Sequence, residues 1–410
     1  MPYTRSDCRR ARADFPALAR SVNGHAVAFL DGPGGTQVPH AVLDAIHTAY
    51  VERNANFDGM FRTSVDVGHA LAAARAATAD FLGAASGATI SFGANMTTLN
   101  FSLSHALARA LQPGDEIVVT ELDHEANRGP WLKLRERGIV VREVALRPDG
   151  LLDRDDFAAQ VGPRTRVVAL GMASNALGTV TDVACARALC DEVGAWLVVD
   201  AVHYAAHFPL DVEALGVDFL LCSAYKFYGP HIGILYARPG LLDELDTDRL
   251  RTQKQQAPYR IETGTLNHAA IAGVTAAIDY LATFGAGTNR RARVTSAMRD
   301  IHDYETVLAR RYYDAVRQLD GVSVYGPGFD DGPRAPTVSI TCERHTPKDV
   351  AAYLAERGLQ VWHGHFYAMK VLEVLDLAER GGLLRVGVSL YNDEPEIDRL
   401  TDALATLARS

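Results

Sequence analysis

The run Ser223-Ala-Tyr-Lys-Phe-Tyr-Gly-Pro230 sets one lysine among aromatics, after an apolar stretch and before Gly-Pro. Such a lysine is either a surface residue on a turn or a buried amine. Only a partly desolvated amine stays neutral some of the time and can attack a carbonyl, the chemistry of a Schiff base. Burial at a strand end gives Lys226 that environment. Twenty-six residues upstream, Trp196-Leu-Val-Val-Asp200 reads as a strand ending in a carboxylate, followed by Ala201-Val-His203. An Asp at the carboxyl end of a parallel strand faces a ligand crevice, although it can equally cap a following helix. Paired with Lys226 it has a sharper use. Pyridoxal phosphate (PLP) needs an acid that keeps its pyridine nitrogen protonated, so that the ring can act as an electron sink. A third stretch, Phe92-Gly-Ala-Asn-Met-Thr-Thr98, leads small residues into a helical segment reaching Ala110. Backbone N–H groups exposed there would cradle a phosphate. The stretch is not a Walker motif, and no GxGxxG accompanies it.

The elements that must position these residues are legible as alternation. Apolar strand-length runs fall at Glu116–Thr120, Ile139–Val144, Arg166–Gly171, Trp196–Asp200, Phe219–Ser223 and Ile232–Ala237, with helical stretches between them, as at Val183–Val193 and Ala269–Phe284. Several runs are apolar throughout, as strands covered on both faces are. Strand–helix alternation of this kind predicts a mostly parallel α/β sheet. The pattern changes near Gly285–Arg291. A long charged helix from about Arg293 to Leu319 follows, then a strand at Thr337–Thr341 and a helix at Pro347–Arg357. A loop at Trp362–Met369, a strand at Leu384–Ser389 and a final helix complete the chain. We expect a large domain over residues 31–285 and a smaller C-terminal α+β domain formed by 286–410 together with 1–30.

Composition narrows the function classes. The chain has 410 residues, 48% of them hydrophobic and 22% charged, enough for more than one small core. A net charge of −9 argues against a nucleic-acid platform and against a polybasic membrane surface. No apolar run reaches the roughly 20 residues of a spanning helix. The Arg-rich start lacks the apolar core of a signal peptide. Cys8, Cys185, Cys190, Cys222 and Cys342 form no CxxC pair, and read as reduced thiols of a cytoplasmic protein.

Taken together, these segments resemble the class V aminotransferase superfamily, and most closely the cysteine desulfurases of the sulfur-mobilisation type. The resemblance rests on Phe15-Pro-Ala-Leu, Asn23-Gly and Phe29-Leu-Asp31, on Ser174-Asn-Ala-Leu-Gly-Thr179, on Val199-Asp-Ala-Val-His203, and on Phe219 to Tyr236. It implies the fold type I, aspartate aminotransferase-like architecture of PLP-dependent transferases, with a mostly parallel central sheet. By the same resemblance Lys226 carries the cofactor as a Schiff base and Asp200 faces the pyridine nitrogen. His124, in Leu122-Asp-His-Glu-Ala126, stacks on the ring, and His203 lies near the ring hydroxyl. Asn95, Met96 and Ser223 serve the phosphate. Tyr225, standing where relatives carry His, could still donate to it. Asn175 lies near the ring oxygen and the substrate carboxylate, which Arg385 grips; a guanidinium binds carboxylate in a two-pronged fork. Thr265, in Glu262-Thr-Gly-Thr-Leu-Asn267, reaches the phosphate of a partner subunit, which implies a homodimer with shared sites. An amino acid, as a small-molecule substrate, is implied. No metal is implied.

One segment departs from the pattern. The desulfurase loop reads Arg-(Thr/Ser)-Gly-His-His-Cys-Ala, and its cysteine takes the substrate's sulfur as a persulfide. Here the loop is Trp362-His-Gly-His-Phe-Tyr-Ala368, so Tyr367 stands at the cysteine position and Trp362 at the arginine position. A phenol cannot form a persulfide, because that chemistry needs a thiolate. It can donate a proton to a leaving group. The expectation is therefore a carbon–sulfur lyase without a sulfur-accepting thiol. Transamination or epimerisation at Cα are the alternatives, and a partner subunit that kept the fold without activity is a further one.

Overall fold

The computed structural model describes residues 2–409. Its centre is a seven-stranded sheet of β1 (Ile90–Gly93), β2 (Glu116–Thr120), β3 (Val140–Val144), β4 (Thr165–Gly171), β5 (Trp196–Asp200), β6 (Phe219–Ser223) and β7 (Gly233–Ala237). The spatial order is β1-β7-β6-β5-β4-β2-β3. The pairs β2–β3, β2–β4, β4–β5 and β5–β6 are parallel, and β7 runs antiparallel to both β6 and β1. The sheet is mostly parallel, as alternation predicts, with one reversed strand. β7 follows β6 closely, after Ala224–Ile232, too short a link for the crossover that a parallel neighbour would need.

Successive residues feed opposite cores, because side chains alternate along a strand. Val118, Val168, Leu170, Leu197, Val199 and Leu220 face one apolar layer, while Ile117, Val119, Val167, Ala169, Val198 and Leu221 face the other. All are fully buried, and each buried Val or Leu contributes about 1.5–3 kcal/mol. Both faces are covered by helices, among them Arg62–Leu82, Met96–Ala108 and His268–Ala282.

The helix Arg290–Val316 leads to a four-stranded antiparallel sheet: β8 (Val322–Tyr325), β9 (Thr337–Cys342), β10 (Trp362–Gly364) and β11 (Leu383–Gly387), in the order β8-β9-β11-β10. The expected loop at Trp362–Met369 is thus a strand in its first part: Trp362, His363 and Gly364 pair with Arg385, Leu384 and Leu383. Ala28 and Leu30 join the core beneath this sheet, whereas Tyr3, Cys8, Ala11 and Phe15 join the core of the large one. The first thirty residues therefore contribute to both cores. All five cysteines are unpaired, with Cys8, Cys190 and Cys222 buried and Cys185 and Cys342 partly exposed. Among the described residues no helix is long and apolar enough to cross a membrane.

Candidate active site

A pocket opens at the carboxyl ends of β4, β5 and β6, where a parallel sheet presents its crevice. Asn95, Met96, His124, Asn175, Asp200, His203, Ser223, Tyr225 and Lys226 line it, with Thr97, Ala126, Ala173 and Val202. Asp200 and Ser223 are the last residues of their strands. Lys226 closes a single 3-10 turn after β6. That turn brings the amine back over the strand ends, where Nζ donates to the Pro33 carbonyl and lies 4.9 Å from the centre of the Tyr225 ring.

Burial sets the electrostatics. Lys226 is 7% exposed. Burial, and then the Arg385 charge, pull its ammonium down to about 7, so a large share of the amine is neutral near neutrality. Burial pushes the Asp200 carboxyl up to about 6, against the Val202 N–H bond and the Lys226 charge. That N–H donates to Oδ1 at 2.9 Å. Burial and the charges of Lys226 and Arg385 hold His124 neutral, down to about 3. His203 is also held well below the ordinary histidine range, chiefly by burial. One nitrogen of His203, Nε2, bonds Thr337 Oγ1 at 3.0 Å across to the small sheet. The other, Nδ1, is buried without a partner.

The helix Met96–Ala108 begins at the pocket. Asn95 caps it by accepting from Thr98 N at 2.9 Å, and Ser223 Oγ accepts from Met96 N at 3.2 Å. This hydroxyl thereby ties the helix start to the end of β6.

Arg385 sits deeper, on β11, 2% exposed. It pairs with Asp31 at 2.7 Å and donates to the Asn175 carbonyl at 3.2 Å. Its Nε is buried without a partner. The Phe366 ring covers the guanidinium, 4.3 Å from Cζ. Tyr367, 64% exposed, stacks on His124 with ring centres 5.4 Å apart. Phe366 and Tyr367 both adopt left-handed backbone, with φ of 52° and 59°, a conformation costing a side-chain-bearing residue about 1 kcal/mol or more. It is held by Asn175 Nδ2 donating to the Phe366 carbonyl at 2.9 Å and by Glu125 N donating to the Tyr367 carbonyl at 2.7 Å.

Thr265 does not join this group. It is exposed and lines surface clefts with Leu266 and Asn267 instead. Asp31 and Phe366 also belong to the site, and neither has a role that the sequence assigns. The acid's contact with Arg385 spans 354 positions, which no local pattern reveals. Among the described residues no cluster of His, Cys, Asp and Glu suits a metal ion.

The sequence profile described as aminotransferase class-V matches residues 28–400. The chain belongs to the class V aminotransferase family. Like the family it belongs to, it is a PLP-dependent enzyme of the α/β fold type I class. Among relatives of this class V chain, a cysteine desulfurase of Serratia proteamaculans is 32% identical over 416 residues, covering 98% of each chain. One of Klebsiella pneumoniae is 33% identical with the same coverage. Among solved structures, the apo cysteine desulfurase of Thermococcus onnurineus NA1 superposes with a TM-score of 0.88 at 27% identity. A cysteine desulfurase of Escherichia coli, solved as an S-sulfonic acid, gives 0.84 at 28%. Each covers 98% of both chains.

The pocket of this class V member fits PLP on its own evidence. It offers a buried amine for an aldehyde, an acid at a strand end, a flat neutral imidazole, an unpartnered buried nitrogen on His203, and hydroxyl and amide groups at a helix start.

Proposed function

We propose that this protein is a PLP-dependent carbon–sulfur lyase acting on an amino acid, and that it works without a thiol to receive the sulfur. The observation that carries the reading is the buried Lys226 amine in one pocket with His124 and Asp200, in a chain whose relatives are cysteine desulfurases. When bound, PLP joins amines through its aldehyde and draws electrons from the carbon beside them. Lys226 is the attachment point. Its neutral fraction would serve to take the Cα proton of a substrate at Nζ. Asp200 would hold a proton on the ring nitrogen. His124, held neutral, would offer its flat face to the ring without competing for charge. Asn95, Met96, Ser223 and Tyr225 would hold the phosphate, and the unpartnered His203 Nδ1 would serve the ring hydroxyl. Arg385 receives the substrate carboxylate beside Asn175, through the Nε that has no partner, while Asp31 fixes the far side of the guanidinium. Tyr367 stands where the leaving sulfur departs and supplies its proton. The domain division at residue 286, a homodimer in which Thr265 serves the neighbour's phosphate, and a cytoplasmic location belong to the same reading. The exposed position of Thr265 outside its own pocket and the unpaired cysteines support the last two.

The test is a screen of cysteine, cystine, S-substituted cysteines and their sulfoxides, following sulfide, pyruvate and ammonia. The Lys226→Ala variant should lose all turnover, and borohydride should fix the pyridoxyl group to Lys226 in the wild type. A different labelled lysine sinks the assignment. Amino-group transfer to a 2-oxo acid without elimination would favour the second reading, transamination, to which the family's name points.

A further inference from the structure

Asp123 is a buried carboxylate, 3% exposed, to which neither the sequence reading nor the proposed chemistry gives a role. Pairing between β2 and β4 runs to Val118 and Val168. Beyond those residues a side chain takes the place of the ladder. Asp123 Oδ2 accepts from Thr120 N, at the end of β2, at 2.8 Å. Its Oδ1 accepts from Gly171 N, at the end of β4, at 2.7 Å. Gly171 is in turn the register partner of Asp200 on β5, and Asp123 directly precedes His124. One carboxylate therefore bridges the segment carrying the imidazole to the strand beside the acid. The fit is close: a Cβ at Gly171 would lie 3.2 Å from Asp123 Oδ1. Burial, with the neighbouring Asp200, pushes the Asp123 carboxyl up to about 7, and the two backbone N–H groups hold it from rising further.

We propose that Asp123 is a positioning residue that sets His124 against Asp200, and so fixes the plane and tilt of the cofactor ring between them. The inference rests on PLP being the cofactor. Asn in its place keeps the shape but turns an amide donor toward one of the two backbone donors. That bridge is then lost and a buried N–H is left unsatisfied.

The test titrates apoprotein with PLP. It follows the visible absorbance and the visible circular dichroism, which the asymmetric surroundings of the bound ring induce, and checks folding of each apoprotein by far-ultraviolet circular dichroism. Wild type that takes up no PLP defeats the cofactor reading itself. Given uptake by wild type, Asp123→Asn should fold, bind PLP at least about tenfold more weakly and show altered visible dichroism. Affinity and dichroism equal to wild type overturn the proposal. If Asp123→Asn fails to fold, Gly171→Ala decides. It keeps both acceptors but crowds Oδ1, and should change the visible dichroism in a folded protein. An unchanged signal there overturns the proposal as well.

Discussion

At the residue scale, the proposed departure from a thiol-dependent desulfurase rests on the pair His124 and Tyr367. The stacked rings set the phenol beside the pocket while most of its surface stays exposed. Replacing Tyr367 with Phe keeps that stack and deletes only the hydroxyl. Elimination should fall at least about tenfold, in line with the 100- to 10,000-fold typical of general acid–base help. Exchange of the Cα proton with solvent should persist, because Lys226 is untouched. Equal rates for both steps would reduce Tyr367 to packing. Tyr367→Cys is the companion variant, and persulfide on the new thiol after incubation with cysteine is the expected outcome. The lysine and acid were legible because each ends a run of apolar residues. Asp31, Phe366 and Asp123 were not, because what defines them is a contact made by the fold: a guanidinium 354 positions away, a ring face, a gap between two strand ends.

At the scale of elements, β2 depends on an ion cluster at its start. Glu116 is gripped by Arg142 at 2.7 and 2.9 Å, on the neighbouring β3, and by Arg164 at 2.7 Å, just before β4. The Arg142 bonds above all, with those of Arg164, lower the Glu116 carboxyl from 4.5 to about 2. The unfolded chain binds a proton as pH falls through the ordinary value, while the folded chain resists until the lowered one. The stabilisation is therefore complete above pH 4.5 and is lost between there and about 2. Both arginines are partly exposed, so solvent screening leaves a contribution of about 1–2 kcal/mol. Denaturant titrations across that range should show the loss in wild type and a flatter profile in Glu116→Gln. Parallel profiles would count against the cluster. The apolar runs themselves were readable to within a residue or so at most ends. The burial pattern of β7 does not give its direction, since a strand buried on both faces looks alike whichever way it runs; only the short link from β6 does. Nor was β10 readable: its Trp-His-Gly sequence carries no strand pattern and pairs only because β11 offers an edge.

For the whole molecule, the proposed sharing of sites gives a direct experiment. Thr265 follows Glu262, whose carboxylate makes a buried two-pronged pair with Arg75 at 2.8 Å and accepts from Phe92 N at 2.7 Å. The segment thus leaves a fixed anchor and ends on the surface. Mixing Lys226→Ala subunits with Thr265→Ala subunits should place both lesions in one site of a heterodimer and restore the other. Activity above the sum of the two parents is the expected result. Full wild-type activity from a stable monomer would defeat it.

The distribution of sulfur in the protein has a further consequence. Burial pushes the Cys8 thiol up to about 11 and Cys190 up to about 12, and it raises Cys222 as well. These thiols are protonated and sheltered at neutral pH. None of the five lines the pocket. An enzyme that must carry sulfur on its own thiolate is poisoned by alkylating reagents and by mild peroxide. This one should keep its turnover through both treatments, even as the partly exposed Cys185 takes up label. Activity lost in step with one modified thiol would reveal a sulfur acceptor after all. Retained activity would describe a catalyst suited to cleaving carbon–sulfur bonds under oxidising conditions.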